Sequence, residues 1–120
     1  MKREPFSFYE SGKPKEYNLY SFIDGRKTLV GYEEVYENGV IKITGKVDSN
    51  TQRVGLWESF YEDGKPWSIG EYENGVEIGR KKTWYSNGKP RYEGLMLNGK
   101  PSGTWFFWDE KGVKTTKAYK

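Results

Sequence analysis

The chain has 120 residues, enough for one domain, with 18% aromatic residues against a mean hydropathy of −0.95. It holds no Cys and no His, which excludes disulfide staples, thiolate or imidazole metal sites, cysteine nucleophiles and the commonest general base. Net charge is +3 but uneven: residues 1–79 carry 10 Lys and Arg against 14 Asp and Glu, a balance of −4, whereas residues 80–120 carry 10 against 3, a balance of +7. Disorder needs few aromatics, so the polar average reads as a thin structure with large solvated faces and a core of Trp, Tyr and Phe.

In chain order, MKREPFSFYE has a basic start without an apolar stretch behind it, and no window approaches a membrane span, so a cytoplasmic protein is expected. FSFYE reads as an edge strand. FYESGKP ends its turn at Gly12 and places Pro14 at a strand start, where a missing N–H is tolerable. Asn18 then fills a slot that later units give to glycine, and Gly25 interrupts the spacing. VYENG brings Gly39, with Gly45 six residues on. Asp48-Ser49-Asn50 has three oxygen side chains but no acidic residue at its far end, so it reads as a turn and not as a cation loop.

From WESFYEDGKP onward the pattern is regular. Gly64, Gly88 and Gly112 are 24 residues apart, as are Gly31, Gly55, Gly79 and Gly103, and the pairs Gly70 and Gly94, Gly75 and Gly99. A fixed period of this length is the signature of a repeat architecture. The dipeptides Asp63-Gly64, Asn74-Gly75, Asn87-Gly88 and Asn98-Gly99 predict hairpins with positive φ at both turn residues, hence two turns and two strands per unit. KTTKAYK closes the chain as an edge strand protected by its lysines.

These elements predict an all-β fold: an elongated, single-layer antiparallel meander of about ten strands in five 24-residue hairpin units, with irregular units over 6–54, regular ones over 55–112 and an edge strand over 113–120. At ~4.8 Å per strand the sheet would be about 45–50 Å long. Period two predicts a buried stripe of Phe8, Val35, Phe60, Trp84 and Trp108, joined by Tyr20, Val47, Tyr72 and Met96. Gly45, Gly70 and Gly94 would let large rings cross close to the backbone. Trp57, Ser59, Tyr61, Lys81, Thr83, Tyr85, Trp105 and Phe107 would then form a mixed, largely wet opposite face.

The run from Trp57 to Gly112 resembles the MORN-repeat variant of bacterial proteins, the class often labelled YwqK-like antitoxins. The likeness is good over 55–112 and weaker over 6–54. It implies a scaffold that binds another protein, such as a toxin whose activity it blocks. It carries no catalytic signature, and its matching positions are turn glycines and core aromatics.

The chain is therefore expected to be a non-enzymatic protein-binding module without cofactor, which inhibits a partner by docking one sheet face. A toxin or a nuclease complex fits as that partner, in an antitoxin, immunity or phage-encoded anti-defence role. Candidate contacts are Trp57, Tyr61, Arg80, Lys81, Lys82, Tyr85, Lys89, Arg91, Trp105 and Phe107. Aromatics would supply anchors and the basic third would supply steering. The alternative is a nucleic-acid binder that uses the same basic, aromatic end as a stacking groove. Pairing of edge strands into a homodimer is compatible with either.

Overall fold

Turn chemistry sets the architecture. At Asp24-Gly25, Asn74-Gly75 and Asn98-Gly99 both residues have positive φ, the two-residue hairpin geometry that matches strand twist. The other turns are built differently. In Tyr61-Glu62-Asp63-Gly64 only the glycine has positive φ, at 91°, its N–H donating to Tyr61 O while the Tyr61 N–H donates to Lys65 O. The same pattern recurs at Tyr9–Gly12, Tyr36–Gly39, Tyr85–Gly88 and Asp109–Gly112. Asp63-Gly64 and Asn87-Gly88 thus form hairpins as expected, but not with two positive φ values. The Asp63 and Asn87 side chains instead accept the N–H two residues on, holding the three-residue loop.

The computed structural model describes residues 1–120 as ten strands: β1 (Lys2–Phe8), β2 (Pro14–Ile23), β3 (Arg26–Val35), β4 (Ile41–Val47), β5 (Arg53–Phe60), β6 (Pro66–Glu73), β7 (Val76–Trp84), β8 (Pro90–Leu97), β9 (Lys100–Trp108) and β10 (Lys114–Tyr119). They form one antiparallel sheet in chain order, each strand paired only with its sequence neighbours. Extents are 49 × 33 × 19 Å, matching the predicted length. The Cα radius of gyration is 16.7 Å, against about 14 Å for a compact chain of this size. No helix is long and apolar enough to cross a membrane.

Two rows of paired residues run across the sheet, on opposite faces. One passes from Ser7 through Ile43, Ser59, Ser68 and Thr83 to Phe107 and Thr115. The other passes from Tyr17 through Glu33, Glu58, Ile69 and Lys82 to Glu93 and Phe106. Alternation places Trp57 and Trp105 on the first face, here termed the tryptophan face.

That placement corrects most of the expected stripe. Of its members only Val35 is among the seven buried residues, which include Trp57, Thr83 and Trp105 from the other set, whereas Phe8 is 56% exposed. Tyr72 and Met96 pair with Gly55 and Gly79 on the tryptophan face, not with the Phe60 and Trp84 side. The reason is a bulge beside each of the first four three-residue turns. Between β5 and β6, for example, one step on one strand (Ser59 to Phe60) faces two on the other (Ser68 to Pro66). Counting by two across such a site assigns the wrong face.

Candidate functional site

On the tryptophan face the structural unit is an indole laid over a strand glycine. Gly45 pairs with Tyr32 and is covered by the Trp57 ring; Gly94 pairs with Lys81 and is covered by Trp105. A Cβ at Gly45 would lie 2.1 Å from the Trp57 ring, and one at Gly94 2.2 Å from Trp105, so only glycine permits this packing. Each indole N–H is satisfied, Trp57 by Lys46 O at 2.9 Å and Trp105 by Leu95 O at 3.1 Å. The sequence expectation that rings cross the strand glycines holds at Gly45 and Gly94 but not at Gly70, which a carboxylate covers, and the rings belong to the residues expected on the wet face.

Around each indole stands an aromatic group. Tyr32 stacks on Trp57 at 6.2 Å and Tyr72 meets it edge-on at 6.4 Å, with the Arg53 guanidinium 4.2 Å from the indole centroid. At the C-terminal end Tyr92, Phe107 and Tyr119 surround Trp105 at 6.0–6.4 Å. Between the groups, the position 24 residues from both tryptophans is Lys81, bonded to Glu77 at 3.1 Å, and the Glu77 carboxylate lies over Gly70.

The long edge that carries the three-residue turns holds a second device. Tyr9, Tyr36, Tyr61 and Tyr85 donate their hydroxyls to the carbonyls of Val35, Phe60, Trp84 and Trp108, at 2.6–2.7 Å. Each thereby ties its turn to the next unit. A long side chain six residues on lies against each ring: Lys15, Lys42, Trp67 and Arg91, at 5.6–5.8 Å. Sequence reading had treated Tyr61 and Tyr85 as surface contacts and missed this ladder. The signal for it is a Tyr three residues before a glycine in four successive units.

The candidate contacts therefore separate. Trp57 and Trp105 are 5% and 4% exposed and are structural pins; Phe107 is half-buried beside Trp105. Arg80, Lys81 and Lys82 do not form one patch: Lys81 is on the tryptophan face and its neighbours on the other, where Lys82 pairs with Glu93 at 3.7 Å. Arg80, Lys89 and Arg91 are exposed and free of ion pairs. Arg91 lies 5.6 Å and 5.8 Å from the Tyr85 and Tyr92 rings, at the rim of a recess of about 450 Å³ between the last two units. The structure brings Tyr85, Arg91 and Phe107 together there and leaves Trp57 and Tyr61 several strands away.

Electrostatics in the N-terminal half tie strands together. The Glu16 carboxyl is held below its ordinary range, first by the Tyr32 hydroxyl and then by Ser7, both of which donate to it. Burial, followed by the Glu16 interaction, pushes the Tyr32 phenol above its ordinary value. Glu4 is likewise lowered, chiefly by its bond with Lys27 at 2.7 Å.

These features define an open, one-layer repeat sheet in which each unit contacts only its neighbours. Comparison with protein families agrees: the MORN repeat variant model matches residues 53–74 and 77–98, two segments similar to that repeat and in step with the period of 24. Repeats of this type generally mediate binding to proteins or membrane lipids. A search of curated proteins finds no match to the chain.

Proposed function

We propose that the chain is a non-enzymatic protein-binding module that inhibits its partner by steric docking, in an antitoxin-like, immunity or phage-encoded anti-defence role. What carries this reading is the open slab itself. Each face spans 49 × 33 Å, about 1,600 Å² in projection, twice the ~800 Å² per partner of a standard interface. Large apolar side chains remain on the surface, Leu56 at 58% and Leu95 at 48% exposed, and Arg80, Lys89 and Arg91 are exposed without ion-pair partners. Leu95 pairs across the sheet with Arg80, so an apolar anchor and a steering charge share one patch.

The test is a pulldown with the tagged chain from the lysate of its source, split into nuclease-treated and untreated halves, followed by an activity assay of the purified partner. Retention of one stoichiometric protein after nuclease, with its activity suppressed by the chain, is the expected result. A partner that binds but keeps full activity would remove the inhibitor reading. Recovery that disappears with nuclease would replace it by nucleic-acid binding, with a steep salt dependence as its second sign.

A further inference from the structure

The last unit stops filling its own space. In four units a turn tyrosine is covered by a long side chain six residues on; in the fifth, those two positions hold Asp109 and Thr115. Both are truncations relative to the repeat. Between them lies the recess of about 450 Å³, bounded by Tyr92, Phe107 and Val113, within the ~300–1,000 Å³ of ordinary ligand pockets.

The rim has a definite chemistry. Arg91 is held between the Tyr85 and Tyr92 rings and has no carboxylate partner. Asp109 uses Oδ1 to accept the N–H groups of Lys111 and Val113, both at 2.9 Å, which fixes the turn around an open mouth. Val113 is 58% exposed above it.

We infer that this recess receives an aromatic side chain of a partner protein presented next to a carboxylate, the ring replacing the one the repeat omits and the carboxylate pairing with Arg91. The inference rests on the protein-binding reading above and supplies the chemistry of the partner's contact. A nucleobase with its phosphate is disfavoured, because Arg91 is the one cation lining the recess, enough for a single carboxylate, whereas a nucleic-acid backbone calls for several, and Lys82 is already paired with Glu93.

The test is a titration of the ¹⁵N-labelled full chain with acetyl-Gly-Trp-Glu-Gly-amide, with the same peptide carrying Lys for Glu, and with oligothymidylate. Saturable shifts at Arg91, Phe107, Val113 and Thr115 are expected with the first peptide, at an affinity about fivefold weaker with the second. The double variant Asp109→Tyr, Thr115→Arg restores the repeat and should abolish them while keeping the melting temperature. Arg91→Gln should leave the fold intact and equalise the two peptides. Shifts that are absent, that persist in the double variant, or that oligothymidylate induces more strongly at the same amides would overturn the inference. In the pulldown, a partner retained equally by wild type and double variant removes the recess but keeps the binding function; a wild-type chain that retains no protein removes both.

Discussion

The steps at Gly70 and Gly94 occupy equivalent places in the repeat yet are closed by different chemistry. Over Gly94 lies an indole, 4% exposed and hydrogen-bonded to Leu95 O. Over Gly70 lies the carboxylate of Glu77, bonded to a Lys81 side chain that is still 26% exposed. The column that reads Tyr32, Trp57, Lys81, Trp105 thus has aromatic closures everywhere but in the middle. A buried indole contributes its whole area to the sheet, whereas a partly exposed ion pair contributes little. The difference teaches that an exact sequence period need not mean uniform stiffness: two aromatic nodes flank a softer waist.

The sharpest way to break the comparison is to add one methyl group to each step. Gly94→Ala puts a Cβ 2.2 Å from a ring that cannot retreat without leaving its hydrogen bonds, and it should cost about 3 kcal/mol, the upper end for an overpacked core. Trp105→Ala should cost as much or more, about 3–5 kcal/mol. At Gly70 the Cβ would meet only the end of Glu77, at 2.6 Å. That carboxylate can swing aside, so Gly70→Ala should cost below about 1 kcal/mol. Urea denaturation of the three variants checks the order, and equal losses at Gly70 and Gly94 would mean the waist is as rigid as the nodes.

A smaller effect isolates the tyrosine edge, which runs past nodes and waist alike. Tyr61→Phe and Tyr85→Phe each remove one hydroxyl bond to the next unit, to Trp84 O and Trp108 O. Each should lose about 1 kcal/mol. Because these bonds join successive units, amide exchange should quicken at the adjoining turn in each variant. Exchange that changes uniformly along the sheet would indicate that the ladder acts only globally.

Much of this was legible in the residues. Glycine columns at a step of 24, Asn-Gly turns and strand-initiating prolines fix the number and order of strands, and Pro14, Pro66 and Pro90 do open β2, β6 and β8. Faces were less legible, since period two does not survive the one-for-two bulges beside the three-residue turns, where nothing in the sequence marks Trp67 or Arg91 as the extra residue. The site was least legible. Trp57 and Trp105 read as exposed anchors because the glycine that receives each ring is on the neighbouring strand, eleven or twelve residues away. The recess depends on two absences, Asp109 for Tyr and Thr115 for a long chain, which become visible only against the tyrosine ladder.

The smallest effect lies at the N-terminal end, where Tyr32 is the aromatic member of the column that can titrate. Its hydroxyl donates to Glu16, so the pair should show in the pH dependence of stability at both extremes. The Glu16 carboxyl is depressed below its ordinary 4.5 in the folded chain, so its contribution is present above that pH and is lost as pH falls through the lower folded value. The Tyr32 phenol is raised above its ordinary 10.0, so its contribution is present below that pH and is lost as pH rises toward the folded value. Tyr32→Phe removes the phenol and the larger cause of the Glu16 shift, leaving the Ser7 bond, and the profile of urea midpoint against pH should flatten in part below about pH 4.5 and fully above about pH 10 relative to wild type. The acid arm should amount to a few tenths of a kcal/mol, because Glu16 is largely solvated. A variant that replaces Lys81 by Trp should raise the urea midpoint at neutral pH, if an indole can close the waist as it closes the nodes.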